Sequence, residues 1–519
     1  MVDAALQLGM GDTALQLGIV GAYMLVALAV GVVAYRLTDR SAEDYYLASR
    51  TLGTVVLLFT TFATLLSAFT FFGGPNLAFA AGPEWILVMG LMDGIIFAVL
   101  WYVIGYKQWL VGKRHGYVTL GEMLGDRFGS TPLRVLVAGV SLVWLFPYVM
   151  LQQKGAGQAI VGLTNGAVPF WVGAGGITLF MIAYVAISGM RGVAWTDTIQ
   201  GLFMLSLVWL AVAWLLTDIG GAGLATEQMG AANGEFLALG GGLYTPQFII
   251  SSAVSIAFGV TMFPQINQRF FAAGSKKVLK RTFALWPVLV LLLFVPAFML
   301  GAWAVGLGIE VPQGSNVVPV LLGEFAPTWF AALVIAGAMA AMMSSSDSML
   351  LSGSSYLTRD VYRPLKRVFG SERGTADEDR REALVARVGV VVFATLSFVA
   401  SLYSPGTLVQ IGDTAFSGFA QLTVPVALAL YWSGTTRYGM YAGVVGTQVF
   451  YVLHVFPVVE TVAGLLGLTV ALPGTYMGWT PGVVGILLGL VLTVGVSLVT
   501  NAAPDENRSA YVVEGVEAD

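Results

Sequence analysis

Two stretches decide the fold: TTFATLLSAFTFFGGPNLAFAAG, residues 60–82, and SSAVSIAFGVTMFPQINQRF, residues 251–270. Each is apolar and long enough to cross a bilayer, which takes about 20 helical residues. Both hold helix breakers near their middles: Gly73, Gly74, Pro75, Gly259 and Pro264. Proline removes a helical donor, and backbone groups freed inside a membrane must find partners, such as an ion or a solute. The two stretches are therefore predicted to be broken transmembrane helices.

The chain is predicted to be an all-α integral membrane protein with about thirteen transmembrane helices, because that many apolar segments have spanning length. Their predicted bounds are 15–36, 51–80, 84–110, 133–163, 168–188, 194–217, 246–270, 282–306, 326–357, 388–404, 407–432, 438–458 and 481–500. The two broken segments lie five spans apart. Inverted-repeat transporters place one broken helix at the start of each repeat, beside the solute. An ordinary proline kink explains either segment alone, but the offset favours the repeat.

Composition supports a membrane protein and excludes several other classes. The chain is 57% hydrophobic and only 10% charged, which leaves too little charge to cover a soluble protein of 519 residues. It has no cysteine and two histidines, which excludes thiol chemistry and a His-rich metal centre. A net charge of -4 indicates no nucleic-acid partner. No nucleophile-base set is found, so an enzyme is not expected.

The basic residues predict the orientation. With the N-terminus outside, every one of the 25 Lys and Arg residues except Lys154 falls in a segment on the cytoplasmic side. The positive-inside rule produces this asymmetry. The tail 501–519 is then cytoplasmic, and the mixed-charge stretch 359–387 is predicted to be a solvated connector. Residues 1–519 are expected to form a single transmembrane domain.

A stripe of hydroxyls marks the ninth span. Residues 340–362 read AAMMSSSDSMLLSGSSYLTRDVY, and one helical face carries Ala341, Ser344, Ser345, Ser348, Ser352 and Ser355. Such a face should meet protein or water rather than lipid. Sodium is a hard cation that binds several oxygens, and hydroxyls and freed carbonyls supply them. The alternative is that these hydroxyls bond back to their own helix or join helices together.

Five charged residues are predicted to lie inside the spans: Asp93, Lys154, Asp197, Asp347 and Asp413. Burial makes each costly, so each is a functional candidate. A structural ion pair, or a position nearer the membrane surface, is the alternative. Lys154 either attracts an anionic solute or neutralises Asp93 or Asp347.

At these residues the chain resembles the sodium:solute symporter family, which includes sodium-coupled carriers of proline, galactose, pantothenate and monocarboxylates. The resemblance runs over about 15–497. It is carried by the stretch 340–362, by GMRGVAWTDTIQG at 189–201, and by LLSAFTFFGGPNLAFAAG at 65–82. GYVTLGEMLGDRFG and FPQINQRFFAAGSKKVLKR add to it.

The resemblance implies the LeuT-type fold, a five-plus-five inverted repeat with one extra helix before it and two after. The implied parts are 15–36 as the extra N-terminal helix, 51–217 as the first repeat, 246–432 as the second, 438–500 as two C-terminal helices and 501–519 as a cytoplasmic tail.

The family's sodium site uses oxygens of the first broken helix and of the hydroxyl-bearing helix. Matched by motif, its residues are Ala63, Leu66, Ala341, Ser344 and Ser345. The resemblance also implies a second cation or coupling region, with the candidates Ser67, Asp197, Gln200 and Asp347. Sodium is the only metal implied, and no cofactor is.

The family's solute lies between the broken helices. The candidates for contact with it are Thr70, Phe71, Gly73, Glu84, Lys154 and Phe416. For the aromatic candidates, core or lipid packing is the alternative. Leu65 stands where the proline carriers have a coupling aspartate, and Thr70 replaces a glutamine of the galactose carrier. The first departure argues against proline and the second against a sugar. The stretches FPQINQRF and SSSDS resemble the pantothenate and monocarboxylate branch, and Lys154 fits an anionic solute.

The sequence therefore predicts a multi-pass protein of the plasma membrane that couples Na+ to symport of a small organic solute by alternating access. A monocarboxylate or pantothenate-like anion is the expected solute, and a proline-like amino acid or a sugar is the alternative. A membrane sensor or a channel is the alternative of another class. No signalling domain is evident, and broken helices beside a discrete cation site favour a carrier.

Overall fold

The computed structural model describes residues 2–36, 42–187, 189–369, 375–466 and 468–501. Within these ranges the regular structure is helical, and strand pairing is limited to the isolated bridges Leu52–Ala273 and Tyr476–Trp479. The predicted tail, apart from residue 501, lies outside the described residues.

The first part of the chain, up to the first long loop, forms eleven α-helices. They are α1 (Val2–Arg36), α2 (Ala42–Leu47), α3 (Thr54–Leu65), α4 (Gly74–Ala81), α5 (Asp93–Leu100), α6 (Tyr106–His115), α7 (Leu120–Arg127), α8 (Thr131–Leu163), α9 (Phe170–Ile187), α10 (Met190–Ile219) and α11 (Ala222–Ala232). Wider π-helical turns lie at Phe69–Gly73, Leu87–Met92 and Trp101–Gly105, and short 3-10 turns at Ala48–Arg50 and Gly234–Leu237.

The second part forms twelve more helices. They are α12 (Pro246–Thr261), α13 (Pro264–Ala272), α14 (Lys276–Gly306), α15 (Val317–Phe325), α16 (Thr328–Ser355), α17 (Arg363–Phe369), α18 (Thr375–Tyr403), α19 (Leu408–Ala420), α20 (Thr423–Tyr431), α21 (Arg437–Val455), α22 (Val458–Leu465) and α23 (Pro481–Leu498). A further π-helical turn at Tyr356–Tyr362 continues α16 into α17.

The described residues contain nine helices that are long and apolar enough to cross a bilayer, or up to twelve if each of three bent pairs is one span. A shorter apolar helix covers Phe170–Val185. The predicted spans agree with these helices, whereas the count of thirteen stays a prediction.

Three helices extend past the predicted apolar spans. The helix α1 begins at Val2, α14 at Lys276 and α18 at Thr375, each earlier than the sequence predicted. The described residues of the predicted connector 359–387 are helical on both sides of 370–374, and its role as a solvated connector stays a prediction. Charged residues at a span's end do not stop a helix, because their long side chains can reach the membrane surface.

Both predicted broken spans are bent, the first by 61° and the second by 55°. The second breaks at Phe263, and Pro264 opens α13, where its missing N–H costs nothing. The first breaks earlier than predicted, at Leu66, whose φ of -77° and ψ of 126° are extended. Pro75 lies in the first turn of α4 instead, and the wide π-helical turn before it leaves room for the ring.

Both broken spans cross a partner helix at a glycine. A Cβ on Gly259 of α12 would lie 2.0 Å from the carbonyl oxygen of Phe416 on α19. A Cβ on Gly301 of α14 would lie 2.0 Å from the carbonyl oxygen of Pro75 on α4. Any side chain at either glycine would force the backbones apart.

Helix α16 forms the centre of the bundle. It packs against α10, α1, α8 and α3, and almost all of its length from Phe330 to Ser355 is buried. The hydroxyl stripe is thus enclosed by protein, as the sequence predicted.

Candidate functional site

The break in the first span frees carbonyl oxygens beside α16. After Leu66 the chain is extended, so Ala63, Thr64 and Leu66 lack the helical donors that would otherwise bond their oxygens. Ser344 donates to the Ala63 oxygen at 2.8 Å. Ser345 donates to the oxygens of Thr64 at 3.0 Å and Leu66 at 2.5 Å. Two serine hydroxyls therefore provide hydrogen bonds to the carbonyl oxygens that the break leaves free at the end of α3.

The five residues matched to the sodium site lie together. Ser344 also bonds the Ala341 oxygen at 3.0 Å, within its own helix. All five are buried, and the cluster offers three carbonyl and two hydroxyl oxygens without a net charge. Such a set suits a small hard cation, because the hydroxyl hydrogens can turn away while the oxygens face the ion.

The candidates for a second cation region divide into two groups. Asp197 on α10 is buried, and one of its oxygens accepts from Thr60 at 2.6 Å and from Arg269 at 2.8 Å. Asp347 is close enough for its charge to act on Asp197. The second oxygen of Asp197 and one oxygen of Asp347 are buried without a hydrogen-bond partner.

Two other candidates of this region bond elsewhere. Gln200 donates to the Tyr23 hydroxyl of α1 at 3.0 Å. Ser67 accepts from Tyr148 of α8 at 3.1 Å, on the far side of the break from Asp197.

Arg269 is the residue that the sequence analysis missed. It was counted among the cytoplasmic bases, yet its side chain is wholly buried on α13. Besides Asp197 it bonds Ser348 at 2.6 Å and the Thr60 oxygen at 3.1 Å. The available signal is its position, because Arg269 lies inside the predicted span 246–270.

Three solute candidates lie in the π-helical turn of the first broken span, beside α19. Thr70 and Phe71 are buried in the π-helical turn of the first span. A Cβ on Gly73 would lie 3.4 Å from Leu408, so α19 passes close to that turn.

Phe416 of α19 lies between the two breaks. Its ring centroid is 5.3 Å from those of Phe69 and Tyr148, and 5.7 Å from that of Phe263. The cluster joins the first broken span to the second through aromatic contacts.

The last two solute candidates contact loops. Glu84 accepts from the Gly240 amide at 2.5 Å, which ties it to the segment before α12. Lys154 donates to the carbonyl oxygens of Ser404 at 2.7 Å and Gly406 at 2.5 Å. Within the described part of the chain Lys154 has no salt bridge, so the predicted pairing with Asp93 or Asp347 is wrong.

Comparisons with known proteins identify the family. The model of the sodium:solute symporter family matches residues 45–446. The chain belongs to this family. It is a membrane transporter of the sodium-coupled symporter class and not an enzyme.

Two curated relatives of this family member span most of its length. The sodium/pantothenate symporter of Escherichia coli (strain K12) is 26% identical over 91% of this chain and 93% of its own. The sodium/proline symporter of Haemophilus influenzae (strain ATCC 51907 / DSM 11121 / KW20 / Rd) is 29% identical over 81% of this chain and 84% of its own.

A solved structure of a Na+-coupled sialic acid symporter, in a substrate-bound outward-open state, matches with a TM-score of 0.74 at 19% identity. The match covers 94% of this chain and 99% of that one. It confirms the predicted fold class, an all-helical membrane transporter, for the symporter described here.

Proposed function

We propose that this symporter couples inward Na+ movement to the uptake of a small organic anion, either a monocarboxylate or a pantothenate-like acid. The observation that carries the proposal is the contact of Ser344 and Ser345 with the broken end of α3. An ion held there would fix the break, and the break leads directly into the turn that carries Thr70 and Phe71. Cation binding and solute binding would then favour each other reciprocally.

The proposed sodium ligands are Ala63, Leu66, Ala341, Ser344 and Ser345. The proposed coupling candidates are Ser67, Asp197, Gln200 and Asp347. Arg269 already holds one oxygen of Asp197, so any contribution of Asp197 to a cation would come from its other oxygen.

The proposed solute space lies between the broken spans, at Thr70, Phe71, Gly73 and Phe416. Support for an anion comes from Lys154, whose ammonium is held by carbonyl oxygens and not by a carboxylate. It also comes from the similarity to a sodium/pantothenate symporter over most of both chains. Glu84 is kept as a solute candidate at the outer loop.

The repeat organisation is part of the same proposal. We infer an extra helix at 15–36, repeats at 51–217 and 246–432, and two C-terminal helices at 438–500, with the N-terminus outside and the tail 501–519 cytoplasmic. The two bends at corresponding places in the repeats support this division. Alternating access would then be rocking of one set of helices around the breaks.

The test is uptake into proteoliposomes under an inward sodium gradient, with labelled acetate, pyruvate, lactate, pantothenate, proline and a hexose offered separately. Sodium-dependent accumulation of one of the acids is the expected result. Accumulation of proline or the hexose would refute the anion assignment. Uptake driven by protons but not by sodium would refute the serine pair as the coupling site.

Lys154→Met sharpens the solute assignment. We expect weaker apparent affinity for the acid with unchanged half-saturation by sodium, because the substitution removes a positive charge and leaves the serine pair intact. Lys113→Met, at an exposed residue, is the matched control. Unchanged affinity in the folded Lys154 variant would remove this residue from the solute site.

A further inference from the structure

A second polar cavity lies away from the serine pair. It has a volume of about 250 Å³ and is lined by α12, α19, α21 and the start of α23. Hydroxyl groups of Ser251, Ser252, Ser255 and Ser417 line it, together with the carboxylate of Asp413. Its lining includes no residue of α3, α4 or α16, so the cavity is separate from the sodium site proposed above.

Asp413 has no counter-charge in the described part of the protein. It makes no salt bridge or hydrogen bond there, and its Oδ1 is buried without a partner. Asp93 on the neighbouring α5 is 1% exposed, and neither of its oxygens has a partner. The two carboxylates are close enough to repel each other. Each therefore makes the other harder to bury as an anion.

The remaining titratable groups of the cavity do not compensate this charge. His454 bonds the Phe450 carbonyl oxygen at 2.7 Å through Nδ1 and the Tyr476 hydroxyl at 2.5 Å through Nε2. A neutral imidazole satisfies both contacts, with Nδ1 donating and Nε2 accepting. The Tyr451 hydroxyl donates a hydrogen bond to the Thr414 carbonyl oxygen at 3.2 Å. A cation from outside the protein would therefore be the balancing charge.

Two hydroxyls lie close together in the same cavity as this carboxylate. Ser255 is 4% exposed, and its Oγ has no hydrogen-bond partner although it lines the cavity. A Cβ on Gly482 would lie 2.7 Å from the Ser255 Oγ and 2.8 Å from the Ser417 Oγ. Because residue 482 is glycine, the space next to both hydroxyls stays open.

We propose that this cavity is a further Na+ site, with the Asp413 carboxylate as its anchor and the hydroxyls of Ser255 and Ser417 as ligands. One oxygen of the partly buried Asp413 carboxylate is shielded from solvent and has no partner, and an ion bound beside it would offset the cost of that desolvation. Carboxylate and hydroxyl oxygens are ligands that a hard cation prefers. The site needs neither the serine pair nor Asp197.

The test is equilibrium binding of radioactive Na+ to the purified full-length protein in detergent. The starting protein carries Ser344→Ala and Ser345→Ala, which removes the first proposed site. We expect sodium binding to remain in this protein and to fall by one ion per protein when Asp413→Asn is added. Asp218→Asn, which removes an exposed acid at the end of α10, is the matched control and should leave binding unchanged.

Ser255→Ala keeps the test decisive if the Asp413 variant fails to fold. The serine hydroxyl has no protein partner to lose, so this variant should fold like its parent and bind the residual sodium about tenfold more weakly. Binding that is unchanged by both substitutions would overturn the proposal, and so would an absence of sodium binding in the starting protein. Either result would mean that a proton neutralises Asp413. The readout is binding and not uptake, so it is independent of the solute assignment.

Discussion

Helices α3 and α16 are joined at two neighbouring levels by different chemistry. At one level, Ser344 and Ser345 donate neutral hydrogen bonds to the freed carbonyls of α3. One turn away, Arg269 reaches Thr60 of α3, Ser348 of α16 and Asp197 of α10. The first junction involves no charge, whereas the second is a buried ion pair.

The difference separates a place that can exchange an ion from a place that fixes the helices. Neutral hydroxyls can turn from a carbonyl toward a cation at the cost of hydrogen bonds worth about 1 kcal/mol each. Removing one partner of a buried ion pair leaves an uncompensated charge and costs far more. We call the junction formed by Ser344 and Ser345 the serine level and the junction formed by Arg269 the arginine level. We therefore expect the serine level to respond to sodium and the arginine level to hold α3, α10 and α16 together.

The largest expected effect comes from breaking the arginine level. Arg269→Met should lower the free energy of unfolding by about 3–5 kcal/mol, because Asp197 is then left buried without its guanidinium. Thermal unfolding of the purified variant in detergent measures this loss. Adding Asp197→Asn should recover part of it, since the unpaired charge is then removed as well.

Arg363→Met is the matched control for the same measurement. Arg363 bonds Glu382 at 2.8 Å, but its side chain is 39% exposed. Losing such a pair costs at most about 1 kcal/mol. If both arginine variants unfolded alike, burial would not distinguish the two pairs and the comparison would fail.

The next effect is on ion binding rather than on stability. Ser344→Ala with Ser345→Ala should raise the sodium concentration for half-maximal uptake about tenfold or more, because two of the five proposed ligands are lost. Stability should fall by only about 0.5–1.5 kcal/mol for each hydroxyl. Uptake is measured in proteoliposomes against external sodium.

Ser346→Ala tests whether the position of the hydroxyl matters. The Ser346 hydroxyl bonds back to Met342 of its own helix at 2.6 Å and does not reach α3. Its loss should leave the sodium response unchanged. An equal shift in both variants, or no shift in the double variant, would contradict the assignment of the serine level.

The sequence predicted the serine level better than the arginine level, for a physical reason. A stripe at helical spacing depends only on local geometry, so the face with Ser344 and Ser345 could be recognised from one segment. The pairing of Arg269 with Asp197 joins residues on α13 and α10, and spacing along the chain does not reveal such a contact. A basic residue near the end of a span therefore resembled an ordinary cytoplasmic one.

The position of the first break shows a similar limit of prediction from sequence. Gly73, Gly74 and Pro75 marked the correct span, but the helix ends at Leu66, a residue with no breaking tendency of its own. Tertiary contacts determine that position, because Ser345 of α16 satisfies the Leu66 oxygen. Helix breakers thus predicted that the span bends, whereas the partner helix sets where it does so.

The smallest expected effect concerns another charged group, the carboxylate of Glu122. Glu122 on α7 bonds Arg359 at 2.7 Å and Arg134 at 3.1 Å. Burial alone would raise the pKa of Glu122, but Arg359, the Val118 amide and Arg134 together lower it below its ordinary value of 4.5. A lowered pKa means that the ionised form stabilises the folded protein.

The sign of the pH dependence follows from this shift. The stabilisation by Glu122 is present above its unfolded pKa of 4.5 and is lost as the pH falls through the lower folded pKa. Glu122→Gln should therefore unfold at a lower temperature than wild type near pH 7, and the two should converge once the pH falls below the folded pKa. Melting temperatures across this range measure the difference. A constant difference at all pH values would mean that Glu122 acts by packing and not through its charge.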